Sequence, residues 1–260
     1  MPGIDTTQLD LISSLVYRKF GIYLGKDKYD RLEFKLGTMM ARGYCTGTED
    51  LYARLSSGDP LCIEQLATCV TTCHTFFFRE PEHFQVLITD IRERHKTEPF
   101  IWCAACSTGE EPYSIIMALL DAGIADFRIV ASDVNRDVLA GFNRGIYHES
   151  RLAQIPPAVR KRYFTPESDG YYRIDGNLRK YVAIKNLNLM DSVRFSRPFD
   201  YVFCRNVFIY FDENSRAVAL DNMTANMKTG GLLFIGHAEV LLSQPDNLRK
   251  TGCSVYCRTA

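Results

Sequence analysis

Two hydrophobic rhythms divide the chain. Up to about residue 90 apolar residues return at helical spacing, and from about residue 100 they gather into short unbroken runs with helical stripes between them. In the first part Leu9, Ile12, Val16 and Phe20 form one stripe, which Gly21 ends. A second helix is predicted over about 27–41 with Leu32, Leu36 and Met40 inward, and shorter ones over 50–55 and 61–70. Pro81 starts a further helix with Phe84, Leu87 and Ile91 inward, and 92–99 read as a charged linker.

Ile101, Trp102, Cys103 and Ala104 then suit a strand buried on both faces. A break at Ser107, Thr108 and Gly109 leads to a helix opened by Pro112, with Ile115, Ile116, Leu119 and Leu120 inward. The alternation continues with a strand at 127–131, a helix holding Val138 and Leu139, and a strand at 199–204. Next come a helix capped by Asp212 or Asn214 and running to Met227, a strand at 232–235 after Gly230-Gly231, and a final edge strand at 253–258. Such alternation predicts an α/β fold with a doubly wound sheet. It is interrupted over about 146–180, where 171–174, Asp175-Gly176-Asn177 and 178–184 read as a hairpin on an Asp-Gly turn. No internal repeat or low-complexity segment is present.

Composition narrows the class. With 260 residues and 46% hydrophobic content, the chain can bury a proper core as one large or two smaller domains. Lys plus Arg and Asp plus Glu both number 31, so no global charge draws the protein to nucleic acid or to a membrane surface. The N-terminus lacks a basic region followed by an apolar run, and no stretch approaches ~18 apolar residues, so a cytoplasmic protein without membrane insertion is expected. Nine cysteines, odd in number and mostly in apolar surroundings, read as reduced core thiols. Cys103 and Cys106 make a CxxC, but no second CxxC or paired histidines accompany it, so no metal centre is predicted.

The strand, loop and helix around Gly109 carry the first chemical signal. A dinucleotide site would place three glycines there to bring backbone N–H groups to a pyrophosphate. This loop offers one glycine and then Glu110 and Glu111, which repel phosphate and suit a positively charged cofactor such as S-adenosylmethionine. The same acids also suit the positive end of a helix dipole. Asp133, at the end of the second strand, is placed for ribose hydroxyls, or else caps the helix that follows. Arg205-Asn206 lies at the carboxyl end of a central strand, where such sheets bind ligands. Arg79 follows Phe76-Phe77-Phe78, either as a surface partner of Glu80 or as a fork held over a cleft. Lys28, Arg31, Lys35 and Arg42 recur at offsets of three, seven and fourteen, one stripe of a helix at ~3.6 residues per turn. Between Arg18 and Arg42 seven basic residues face three acidic ones, so the neutral chain contains a local net charge of +4. The stripe is either a solvated face or a docking surface for an acidic partner.

Six blocks in order, TTCHTFFFRE (71–80), STGEEPYS (107–114), ASDVN (131–135), NLNLMD (186–191), FDYVFCRNVFIYFD (199–212) and GGLLFIGHAE (230–239), make the chain resemble the CheR family across nearly its whole length. These are the chemoreceptor glutamate methyltransferases. The resemblance implies a small all-α domain over 1–90 and a class I, Rossmann-like methyltransferase domain over 91–260 with an antiparallel edge strand. It also implies an inserted antiparallel β-subdomain, placed at about 168–184. The implied activity is methyl transfer from S-adenosylmethionine to glutamate side chains on the cytoplasmic helices of chemoreceptors, leaving S-adenosylhomocysteine. By position, implied cofactor contacts are Cys73, Thr75, Arg79, Glu110, Asp133, Asn188, Leu189, Arg205 and Asn206. Cys73 stands where the family commonly has Asn. Arg79 and Tyr210 are expected nearest the reacting groups. The basic stripe would grip the receptor helix, and the inserted subdomain resembles one that in some members binds a receptor's C-terminal tether peptide. Two rivals remain at the level of sequence: a methyltransferase acting on nucleic acid or a small molecule, against which the neutral charge speaks, and a non-catalytic cofactor-sensing module.

Overall fold

The computed structural model describes residues 4–241 and 245–259. The chain opens with α1 (Thr6–Phe20), α2 (Tyr29–Ala41), α3 (Thr48–Ser56), α4 (Pro60–Val70) and α5 (Glu82–Glu93). Gly21 ends α1 in the left-handed conformation, its N–H closing on the Tyr17 carbonyl. A 3-10 turn at Lys26–Lys28 precedes α2, so Lys28 stands before the helix proper, and Met39 rather than Met40 completes its buried face with Leu32 and Leu36.

The sheet forms around β1 (Phe100–Ala104), whose last four residues are buried. It pairs in parallel with β2 (Arg128–Asp133) on one side and β7 (Phe199–Phe203) on the other. The remaining strands are β3 (Ile146–His148), β4 (Phe164–Pro166), β5 (Tyr171–Ile174), β6 (Val182–Asn186), β8 (Met227–Phe234), β9 (Leu248–Gly252) and β10 (Val255–Arg258). The main sheet runs β6-β2-β1-β7-β8-β10-β9, with β10 antiparallel to both neighbours. Between the strands, α6 (Glu110–Asp121) follows β1, α7 (Arg136–Arg144) follows β2, α8 (Pro157–Tyr163) precedes β4 and α9 (Glu213–Thr224) follows β7. Connections from β1 and from β7 leave toward opposite edges of the sheet, which opens a crevice at the carboxyl ends of the central strands. One sheet face, with Trp102, Val130, Val202 and Leu233, shares an apolar cluster with Leu9, Ile12, Leu36 and Leu66 of the N-terminal helices. The other face, with Ile101, Ile129 and Phe203, packs with Ile115, Leu119 and Phe84.

Four expectations are corrected. The hairpin predicted over 171–184 does not form: Asp175 accepts the Asn177 N–H at 2.9 Å and caps a 3-10 turn over Gly176–Tyr181, and 182–186 become β6, parallel to β2. The small antiparallel sheet is instead β3-β5-β4, with β5 between its two partners. The tail is not the sheet edge, because β10 inserts between β8 and β9, and β9 takes the edge. Helix α6 starts at Glu110, two residues before Pro112, and α9 stops at Thr224.

Candidate active site

Three backbone devices shape the crevice. After β1 the chain turns through Ala105, Ser107 and Gly109, all at positive φ, and the Asp133 carboxylate ties this turn to β2. Asp133 accepts the Ser107 N–H and the Asn135 N–H, both at 2.9 Å. A Cβ on Gly109 would sit inside the Phe142 ring, so both φ and space require glycine there. After β7 the chain turns at Asn206, at φ 60°, and Glu239 holds that turn. Glu239 is buried and accepts N–H groups from Asn206 at 2.8 Å, Phe208 at 2.7 Å and Gly236 at 2.6 Å. The third device is the segment before α5, where Phe78 and Glu80 take positive φ on either side of Arg79. The Phe78 N–H is fixed by the Ser114 hydroxyl at 2.9 Å.

These turns enclose one cavity, into which most of the sequence-predicted residues are brought. Cys73, Thr75, Arg79, Asp133, Asn188, Leu189, Arg205, Asn206 and Tyr210 all line it. Glu110 does not. Its carboxylate accepts the Thr108 hydroxyl at 2.6 Å and meets Arg151 at 3.3 Å, and Arg151 in turn holds the Thr75 carbonyl at 2.7 Å. Glu110 therefore acts on the cavity wall through Arg151, while its neighbour Glu111, about 100° further round the helix, lines the cavity. Sequence reasoning also missed the walls supplied by Phe20 and Ile22 from the N-terminal part, by Val134 and Leu187, and the bracing role of Glu239.

The side chains differ in how far they are committed. Asn188 donates to the Lys19 carbonyl at 2.6 Å and accepts the Met190 N–H at 3.1 Å, so its amide joins the end of α1 to the loop after β6. Arg205 is buried between Glu80 and Glu111, each at 3.3 Å, and donates to the Arg79 carbonyl. Arg79 reaches the His74 carbonyl at 3.3 Å and lies 5.4 Å over the Phe76 ring, half-buried at the cavity wall. Burial raises the pKa of Glu111 against the opposing pull of Arg205, and raises that of Asp133 against three backbone N–H groups. Burial likewise raises that of the Cys73 thiol, with Asp133 adding to the effect, so it presents a neutral S–H to the cavity. His83, behind Arg205, is pushed down to about 4 by burial and then by the guanidinium.

The basic stripe divides. Lys28, Arg31 and Lys35 line one small groove with Cys69, Val70, Thr72 and Tyr210, next to the cavity mouth. Lys35 is turned inward onto the Cys69 carbonyl, and burial followed by the Arg31 charge lowers its pKa. Arg42, just past the end of α2, lines a different groove with Phe34 and Thr38. The geometry is thus a cavity walled by carboxylates and apolar side chains, with cations outside its mouth and Tyr210 lining both.

Residues 73–257 match the family model described as CheR methyltransferase, SAM binding domain. The chain belongs to the CheR methyltransferase family. Among curated relatives, the chemotaxis protein methyltransferase of Borreliella burgdorferi is 35% identical over 255 residues, covering 92% of this chain and 90% of that protein. Those of Salmonella typhimurium and Escherichia coli are 36% and 37% identical, each covering 94% of this chain and 88% of the relative. This CheR chain is accordingly a methyltransferase that uses S-adenosylmethionine, on a class I fold with a separate three-stranded antiparallel sheet. The cavity's chemistry agrees, having the carboxylates of Glu111 and Asp133 in its wall rather than a phosphate cradle. Among the described residues, no helix is long and apolar enough to cross a membrane.

Proposed function

We propose that the protein methylates glutamate side chains of methyl-accepting chemotaxis receptors, giving glutamyl methyl esters. The observation that carries this reading is the placement of Lys28 and Arg31 beside the cavity mouth, where they meet an acidic helix before its carboxylate reaches the carboxylate-walled interior. Helix-borne acids are drawn to such a face, and the effect weakens with salt. The curated relatives named above, chemotaxis protein methyltransferases, point to the same pathway.

In this reading Asp133 takes the ribose hydroxyls, while Val134, Leu187 and Leu189 wall the adenine side. Glu111 offsets the cofactor's positive charge, and Arg79 presents its fork to a carboxylate. When bound, S-adenosylmethionine would supply an activated methyl group on a sulfonium, to be taken up by a glutamate oxygen with S-adenosylhomocysteine as the leaving group. A glutamate with a reference pKa of ~4.3 is already ionised at pH 7, so the protein has no proton to remove. What its residues supply is alignment and a water-poor wall, for which Phe20, Ile22 and Phe211 serve. Tyr210 lies where the groove meets the cavity and orients the incoming side chain.

Arg79→Ala is expected to reduce methylation about tenfold or more, as loss of a positioning group does. Turnover equal to that of the parent in steady-state assays would remove Arg79 from the site. Charge reversal at Lys28 and Arg31 should raise the apparent KM for receptor several-fold at low salt and leave cofactor affinity unchanged. Weakened cofactor binding by calorimetry would mean that these cations are structural. The β3-β5-β4 sheet offers the outer edges of β3 and β4 to a receptor's C-terminal peptide by strand addition. Transfer of labelled methyl from S-adenosylmethionine tests the whole reading. Alkali-labile label on receptor fragments, lost when their glutamates are replaced by glutamine, is the expected result, whereas label on RNA, or binding without transfer, refutes it.

A further inference from the structure

Next to Arg205, and outside the cavity's lining, Glu80, His83 and His237 bring one ligand atom each to within 4.8 Å of one another. His83 is 1% exposed, and its Nε2 lies 3.3 Å from the Cys253 carbonyl oxygen. A carbonyl only accepts, so Nε2 carries the ring proton and Nδ1 presents a lone pair. That lone pair faces Glu80 Oε2 across 3.6 Å, and among the described residues neither atom has a hydrogen-bond partner. Two buried acceptors aimed at each other repel unless something electron-poor lies between them. Arg205 pairs with Oε2 at 3.3 Å and with Glu111 at 3.3 Å, but among the described residues no donor reaches His83 Nδ1. Two carboxylates thus share one guanidinium, which leaves Glu80 only partly neutralised by Arg205.

We propose that Glu80, His83 and His237 bind a divalent transition-metal ion of the zinc class. Two imidazole nitrogens and one carboxylate oxygen are the donors such a borderline ion takes, with solvent completing a tetrahedron. The Nε2–H to carbonyl contact is the outer partner that metal-bound histidines almost always have, and it fixes which nitrogen is free. Ligand atoms around a tetrahedral zinc stand about 3.4 Å apart. His237 is exposed and can close that gap by side-chain rotation, with the other two ligands held in place. The Glu80 carboxylate already accepts the His237 backbone N–H at 3.2 Å, so the ion would tighten a link that is present. Its structural effect would be to pin the turn that carries Gly236 and Glu239 against the segment that carries Arg79, bracing two walls of the active site from behind.

The test titrates chelator-stripped protein, without cofactor, with Zn2+ by calorimetry and with Co2+ by visible absorption. One-to-one binding is expected, with cobalt bands of tetrahedral nitrogen and oxygen ligation. His237→Ala, a change at an exposed side chain that leaves folding intact by circular dichroism, should weaken binding about tenfold or more, as should Glu80→Gln. Three results overturn the proposal: folded parent protein that binds no metal up to about 1 mM, a level corresponding to about −4.1 kcal/mol; equal affinity in His237→Ala; or a thiolate-to-cobalt charge-transfer band showing that the ion sits on cysteine.

Discussion

Arg205→Ala is expected to destabilise the protein by about 3–5 kcal/mol, because it leaves Glu80 and Glu111 in the interior without their countercharge. For a chain of this size the melting temperature should fall on the order of 10 °C. Pairing Arg205→Met with Glu80→Gln and Glu111→Gln should restore most of the loss, since an apolar and neutral set of similar volume removes the unpaired charges along with the pair. A single-variant loss below about 1 kcal/mol in denaturant unfolding, the size of a surface pair, would contradict this account. The pH dependence carries a second sign. Burial opposes ionisation of Glu80, yet the Arg205 charge and the His237 backbone N–H outweigh it, so its carboxyl titrates below the ordinary 4.5. An acid depressed on folding adds stability above its unfolded value, and that contribution is lost as pH falls through the folded value. In the parent protein this part of the stability therefore declines on the acid side of 4.5, and in Arg205→Ala that decline should shrink.

Asp133→Ala should weaken S-adenosylmethionine binding by about 100-fold, or about 2.7 kcal/mol. Hydrogen bonds to a charged acceptor contribute about 1.5–3 kcal/mol each, and in the proposed reading the acceptor would be lost to the ribose as well as to the Ser107 and Asn135 N–H groups. Asp133→Asn keeps the shape and one acceptor oxygen, so it should fall between the parent and the alanine variant. Calorimetric titration of folded protein measures all three. Equal dissociation constants across the series would place the ribose elsewhere.

The residues that were legible in the sequence share one property: their role follows from neighbours within a few positions. Gly21 ends α1, Gly109 makes the turn after β1, and Asp133 and Arg205 stand at strand ends, each visible as a switch of hydrophobic rhythm. The errors arose where a distant partner outvoted a local signal. Asp175-Gly176 resembles a hairpin turn, but the pairing of 182–186 with β2 draws the chain into the main sheet and leaves Asp175 as a cap. Glu110 and Glu111 are equivalent in sequence, and only the roll of α6 against Arg151 and Arg205 assigns one to the wall's support and the other to the cavity. Glu239 lay inside a recognised block, yet nothing local shows that its carboxylate would gather three N–H groups. His83 and His237 are far apart in sequence, and no spacing rule pairs them.

The N-terminal helices do more than present cations. Phe20 and Ile22 close one side of the cavity, the Ile22 backbone bridges to Phe211, and the Lys19 carbonyl is held by Asn188. The family match begins only at residue 73, so the segment it marks lacks part of its own enclosure. In the proposed reading, receptor capture by α2 and retention of the methyl donor are mechanically joined: force applied to the one lever is felt at the other chamber, and an enzyme trimmed to residues 73–257 would leak.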